Sequence, residues 1–267
     1  METFDAITIR RAMKRFDPDH RLSGEEVDRL LSLTLLSPTA FNVQNWRFVV
    51  VRDPELRRQI REAAWNQPQV TEASLFVVLC ADLQAWNRQP ERYWPEVPAE
   101  TRRAVLAALD GYYRDRPQVQ RDEAMRSCAL AAQTLMLAAQ SMGYDSCPMT
   151  GFDFARVGAL INLPADHVLV MAVAIGRCGV AAAPRAGGWE DARWATRGRE
   201  AGIPTAYLRS DNASYVSAAP EPGSRHLPRG PQPRRCAPAY PSGQRHHVDQ
   251  SLEPCEVGAV LRVQGSA

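Results

Sequence analysis

The chain has 267 residues, 45% of them hydrophobic and 23% charged, a globular balance that sets aside disordered, collagenous and coiled-coil classes. Its formal net charge of +2 gives no whole-molecule attraction for nucleic acid or an anionic membrane. No apolar run approaches the roughly 20 residues of a spanning helix, and the N-terminal residues lack the apolar stretch of a signal peptide, so a cytoplasmic location is expected.

The predicted elements run as follows. Phe4, Ile7 and Arg11 mark a short first helix, followed by the turn-like Asp17-Pro18-Asp19. Ser23-Gly24-Glu25-Glu26 has the form of a capping box, and Val27, Leu30, Leu31, Thr34 and Leu35 recur at helical spacing until Ser37-Pro38 stops them. Trp46 to Val51 is aromatic and β-branched, hence a strand, and Asp53-Pro54 opens a helix over 55–64. A buried strand is expected over 74–81, then helices over 99–113 and 120–142, the second ending at Gly143. An extended piece over 144–148, a helix over 154–161 capped by Asp153 and a strand over 168–175 complete the pattern. Helices outnumber strands without regular βαβ alternation, so the fold class is α+β.

Composition changes near residue 186. The remainder holds close to half of the 20 prolines, abundant Gly, Ser and Arg, and no sustained periodicity. Such a segment buries too little apolar surface to offset its ordering entropy, so residues 1–187 are expected to fold and 188–267 to be a mostly disordered tail.

The motifs, taken singly, remain ambiguous. Arg10-Arg11-Ala12-Met13-Lys14-Arg15 places four cations in six residues, suited to gripping a phosphate or equally to a solvated basic helix end. Lys14 is the only lysine among 32 basic residues, kept either for its compact point charge or by accident. The stretch from Ser37 to Trp46 crowds hydroxyls, amides and aromatics into one connection, suited to a flat heteroaromatic ligand or to ordinary turn chemistry. Cys147 to Asp153 is a strand-to-helix turn whose backbone N–H groups face either a ligand or a plain cap. No Gly-x-Gly-x-x-Gly, Walker, Gly-x-Ser-x-Gly or His-Glu-x-x-His motif occurs. The six cysteines, Cys80, Cys128, Cys147, Cys178, Cys236 and Cys255, show no zinc spacing, so reduced thiols and no metal are expected.

In this order, the pieces resemble the nitroreductase family of FMN-dependent oxidoreductases. The resemblance covers roughly residues 3–187 through Arg10-Arg11-x-x-Lys14-x-Phe16-Asp17, Ser37-Pro38-Thr39-x-x-Asn42-x-Gln44-x-Trp46, Pro148-x-x-Gly151-Phe152-Asp153, and Gly176 with Pro184-Arg185. Trp65 to Val70 and Tyr144 to Pro148 are most similar to its drug and quinone reductase subgroup, the DrgA-like proteins. The resemblance implies a central mixed β-sheet flanked by helices, and a homodimer with FMN at the subunit interface. It implies that Arg10 and Arg185 hold the phosphate, with Arg11 and Ala12 beside it. Lys14 would lie by the pyrimidine edge, where its charge stabilises the anionic reduced ring.

By the same resemblance, Gln69 reads the ring edge, Thr150 and Gly151 offer backbone N–H groups near the hydride-accepting nitrogen, and Pro148 and Met149 pack on the ring. Pro38, Thr39 and Asn42 would come from the partner subunit. The implied activity is ping-pong reduction of quinones or nitroaromatics by NADH or NADPH, with the flavin rather than a protein side chain carrying the chemistry. Family branches with dehalogenating, heterocycle-oxidising or flavin-fragmenting chemistry, and a flavin-binding protein without turnover, are the alternatives.

The sequence departs from the family pattern at Ala12, where many members have Ser, at Asn45, where Pro is usual, and at Thr150, where Glu is common. A larger departure is the C-terminus, where members usually add a strand to the partner's sheet. The Pro- and Arg-rich tail reads as a reading-frame change that removes this strand and leaves a sheet edge unpaired.

Overall fold

The computed structural model of the protein describes residues 1–178 and, for the backbone alone, 260–263. Five strands form one sheet: β1 (Trp46–Val51), β2 (Leu75–Asp82), β3 (Asp145–Met149), β4 (His167–Gly176) and β5 (Val260–Val263), in the order β3-β4-β2-β1-β5. The first four neighbours pair antiparallel, whereas β5 lies parallel to β1, so the sheet is mixed.

The helices are α1 (Thr3–Ile9), α2 (Gly24–Thr34), α3 (Pro54–Ala63), α4 (Gln69–Glu72), α5 (Ala99–Tyr113), α6 (Pro117–Ser141) and α7 (Phe154–Leu160). Alternation along each strand sends its side chains to two separate cores. Trp46, Phe48 and Val50 of β1 face α2 and α6, joined by Leu75, Val77 and Leu79 of β2 and by Val173 and Ile175 of β4. Val49, Val51, Phe76, Val78, Cys147 and Met149 face the opposite layer, built from α3, α7 and the segment containing Met13 and Phe16. The result is three layers with the sheet in the middle, the α+β arrangement expected from the sequence.

Local chemistry explains the boundaries. Ser23 Oγ accepts from Glu26 N at 3.2 Å while Glu26 returns a carboxylate to Ser23 N at 2.8 Å, the reciprocal box foreseen at the start of α2. Asp53 and Asp153 cap α3 and α7 by accepting from Glu55 N and Arg156 N. Gly143, at φ +83°, closes α6 in the left-handed region, and Tyr144 N reaches back to Ala139 O at 2.9 Å. The small face of α6, with Cys128, Ala131, Ala132, Leu135 and Ala139 fully buried, lets it lie close to the sheet. Among the described residues no helix is long and apolar enough to cross a membrane.

Two expectations change. α1 ends at Ile9, with Arg10 as its cap, so Arg11 lies beyond the helix; only Ala6 of α1 is buried, which gives its last turn no packing to extend it. The expectation of an unpaired sheet edge changes as well, because Val260–Val263 pairs with Phe48–Val51 and occupies the β1 edge within the same chain, whereas the family's strand would be given to a partner's sheet. Four residues of Val-Leu-Arg-Val are enough for an edge strand, and the surrounding Pro and Arg content hid them. The remaining tail, with the boundary expected at 187, lies outside the described residues.

Candidate functional site

The other edge of the sheet is β3, and there the N-terminal segment returns. Ala12 forms a parallel bridge with Ser146, and Met13 N donates to Ser146 O at 3.0 Å. Met13 and Phe16 are buried, so they anchor this segment while Lys14 between them stays exposed. Arg11 folds its guanidinium back onto the carbonyls of Thr8, Ile9 and Arg10, at 2.9–3.2 Å, and so stiffens the end of α1.

The second contribution is the loop from α3 into α4. Trp65 and Asn66 both take positive φ, at +53° and +57°, a costly pair for a Trp. Asn66 N and Gln67 N are held by Arg61 O and Ala64 O, and the Arg61 guanidinium reaches Asn66 O and Thr71. This places Gln69, which is 1% exposed, against β3: its Nε2 donates to Gln67 Oε1 at 2.9 Å and approaches Cys147 Sγ at 3.9 Å. Gln67 in turn donates to Gly151 O at 2.7 Å.

The third contribution is the turn after β3. A Cβ at Gly151 would stand 2.8 Å from the Trp65 ring and 3.3 Å from Gln67 Nε2, so a larger residue here would have to push aside that ring, which is 73% exposed. Among the described residues no acceptor takes the N–H of Thr150 or of Gly151, although Thr150 O accepts from Phe152 N.

The electrostatics of the cluster are read at Cys147. Burial pushes its thiol up, while the Lys14 ammonium, which is within hydrogen-bonding reach, the Gln69 amide and the Arg10 charge pull it back down. Arg10, Lys14, Gln69 and the turn at 150–151 therefore converge on one place, although they come from three separate stretches of chain. Pro148 beside them is half-buried, whereas Met149 is buried in the α3 and α7 layer.

Pro38, Thr39 and Asn42 lie elsewhere in the chain's fold, on the connection between α2 and β1. Thr39 Oγ1 accepts from Gln44 N at 3.1 Å, and Gln44 Nε2 donates to Asn42 Oδ1 at 3.2 Å. Phe41, Asn42 and Gln44 all have positive φ, and Phe41 keeps its strained angle by packing on Tyr112 and Tyr113. No contact joins them to the cluster at β3 within the described residues. Arg185 lies outside the described residues. Asn45, at the position where Pro is usual, is buried and accepts from Ser127 of α6 at 3.2 Å while its amide nitrogen faces Asp82 O.

A distinct charged cluster closes the end of β2. The fully buried Asp82 carboxylate meets Arg47 at 2.8 Å and Arg88 at 3.5 Å, and Arg88 also pairs with Asp166, which holds His167 Nδ1 at 2.7 Å. Asp82, Asp166 and His167 lie close enough to share an ion, but the two guanidiniums already supply the positive charge there.

A nitroreductase family profile matches residues 7–177. The chain belongs to the nitroreductase family. Protein DrgA of Synechocystis is 51% identical over 177 residues, an alignment covering 66% of this chain and 84% of that protein. An NADH dehydrogenase of Thermus thermophilus is 36% identical over 169 residues, covering 62% and 82%. A crystal structure of an Exiguobacterium sibiricum protein in complex with FMN superposes with a TM-score of 0.65 at 25% identity, covering 70% of this chain and 93% of that one.

The family position thus agrees with the resemblance read from the motifs. Sequence reasoning gave no role to Cys147, Gln67 or Trp65. Their only signal was membership of stretches quoted for other residues, because the contacts that bring them together span the chain.

Proposed function

We propose that this nitroreductase is an FMN-dependent NAD(P)H oxidoreductase that works as a homodimer on quinones or nitroaromatics. The observation that carries the reading is the pair of unspent N–H groups at Thr150 and Gly151, set beside a buried amide and a lysine charge. A flavin ring fits such a set: it needs donors along one polar edge, a cation near the pyrimidine, and flat apolar support. When bound, FMN supplies hydride transfer, from NADH or NADPH in one half of a ping-pong cycle and to the aromatic acceptor in the other.

The residues divide the remaining work. Arg10, with Arg185, would neutralise the phosphate, and Arg11 and the exposed Ala12 would lie beside it through side chain or backbone. Lys14 would hold its ammonium where negative charge grows on reduction, in a site whose dielectric is lowered by the core beneath. Gln69 is fixed by Gln67, so its amide is preorganised rather than searching for its orientation. Thr150 and Gly151 would donate backbone N–H groups, and Pro148 and Met149 would support the ring. Thr150, standing where Glu is common, removes one carboxylate from the rim and so lessens repulsion of anionic acceptors or of the nicotinamide nucleotide.

The homodimer is supported by exposed apolar side chains on elements that share α6 as a neighbour. Phe4 and Ile7 of α1 are 84% and 50% exposed, Leu36 after α2 is 78% exposed, and Leu130 stands on α6 itself at 47%. A partner covering this surface would also present its Pro38, Thr39 and Asn42 loop.

The test is an anaerobic visible spectrum of protein supplied with FMN, desalted, and titrated with NADPH and NADH. Retained flavin bands that bleach on titration are expected. Lys14→Met should keep the flavin but lower the reduction rate roughly a hundredfold. Failure to retain flavin, or retained flavin inert to both nucleotides, would refute the proposal.

A further inference from the structure

A cavity of about 380 Å³ lies where the first residues of α2 and α3 meet β1 and β2, and it includes no residue of the candidate flavin site. Its wall contains Arg21, Arg52 and Arg57, together with Gly24 and Pro54 at the two helix starts. Among the described residues no carboxylate lines it.

Arg57 is the unusual member. Its guanidinium is largely buried, and its partners are neutral: Nε donates to Val51 O at 2.8 Å, Nη1 to Ala73 O at 2.5 Å and Nη2 to Ser74 O at 3.2 Å. Carbonyls satisfy hydrogen bonds but do not cancel a charge, and buried charges are ordinarily paired. Two of its five N–H groups are left over after those three bonds. Burial, together with the charge of nearby Arg21, lowers its pKa to about 10.

Four carboxylates on the neighbouring segments are engaged elsewhere. Glu26 is taken by Ser23 N and Tyr144, Asp53 by Glu55 N, Glu55 by Arg58, and Glu72 by Arg15 and Phe16 N. Arg21 uses only its Nη1, on the carbonyls of Pro18 and His20, and Arg52 is exposed. Three arginines therefore line a concave space that no carboxylate lines among the described residues, at the starts of two helices of 11 and 10 residues whose first turns carry Glu25, Glu26 and Glu55.

We propose that this cavity is a second anion site, separate from the flavin, which takes the phosphoryl group of a small molecule between Arg21, Arg52 and Arg57. Three arginines lining one cavity suit a tetrahedral, doubly charged oxyanion better than a single carboxylate. The site is large enough for a phosphate with part of its carrier.

The test uses FMN-loaded protein, so that the flavin phosphate site is filled. Inorganic phosphate, pyrophosphate and AMP are titrated by calorimetry against sodium chloride at matched ionic strength, and the melting temperature is followed in parallel. Saturable binding and a raised melting temperature with at least one of the three are expected. Phosphate or pyrophosphate alone would mark a free anion, and AMP a nucleotide phosphate.

Arg21→Gln and Arg52→Gln, which alter exposed side chains, should each weaken that binding about tenfold while leaving FMN content and NADPH-dependent flavin reduction unchanged. Arg57→Gln should abolish it if the variant folds. Binding no stronger than with chloride, or binding unaffected by both exposed substitutions, would overturn the proposal.

Discussion

Asp82 offers a measurable test of how this fold holds its sheet end. Its carboxylate is completely buried, meets Arg47 at 2.8 Å with that side chain only 12% exposed, and accepts Gln84 N at 2.8 Å. Asp82→Ala leaves the Arg47 charge largely buried with only the carbonyls of Gln44 and Trp46 for company. Breaking such a pair by removing one partner costs about 3–5 kcal/mol. For a folded unit of this size each kcal/mol shifts the melting temperature by about 2–4 °C, so the variant should melt roughly 6–20 °C below the parent. Asp82→Asn keeps an acceptor for Gln84 N and removes only the charge, so its loss should be smaller than that of Asp82→Ala. Urea unfolding at low and high salt is the assay, and the loss should barely change with salt because the pair is shielded from solvent. A cost below about 1 kcal/mol, or one that disappears in salt, would show that Asp82 behaves as a surface ion and would refute the reasoning.

Gly151→Ala should force the exposed Trp65 ring aside, at a cost to stability of about 0.5 kcal/mol or less, with a shifted tryptophan emission and weaker FMN retention. Unchanged emission would mean that the ring is not seated there. Phe4→Glu combined with Leu36→Glu should convert the proposed dimer to monomer in light-scattering chromatography; a persistent dimer would place the interface elsewhere. Glu26 is held below its ordinary range chiefly by the Tyr144 hydroxyl, so its contribution is complete above the unfolded carboxylate value of about 4.5 and fades as pH falls through the lowered one. The stability gap between the parent and Tyr144→Phe should therefore be present at pH 7 and close in acid; a gap that widens in acid would contradict the assignment. Burial pushes the Cys80 thiol up to about 12 and raises Cys128 and Cys147 as well, so these three should resist a thiol reagent at pH 8 until the chain unfolds.

Much of the scaffold was legible because its signals are local. The helix over 99–113 and the strand over 46–51 have the ends that periodicity and β-branching assign, and the capping box at Ser23 acts as its spacing promised. α4 was missed because four residues, Gln-Val-Thr-Glu, contain barely one turn and no periodicity. β5 was missed because its order comes from pairing with β1 rather than from its own neighbourhood. The turn at Trp65 and Asn66 was invisible for the opposite reason: Trp carries no preference for positive φ, and the strain is sustained by Arg61 and Ala64.

The site follows from what an edge strand lacks. β3 has β4 on one side only, and the N-terminal segment satisfies it through a single bridge at Ala12 and Ser146 rather than through a full ladder. That short pairing is enough to bring the Arg10 to Lys14 charges to the sheet, and it ends before the strand does. The turn at Thr150 and Gly151 is therefore left with donors directed to neither neighbour. Gln69 reaches the same place across 78 residues of sequence, and Gln67 clamps the turn through Gly151 O. Motif spacing can list those groups, but only the unfilled edge explains why they share one surface. A strand added at that edge would consume the donors, so the flavin contact proposed for Thr150 and Gly151 depends on β3 remaining incompletely paired.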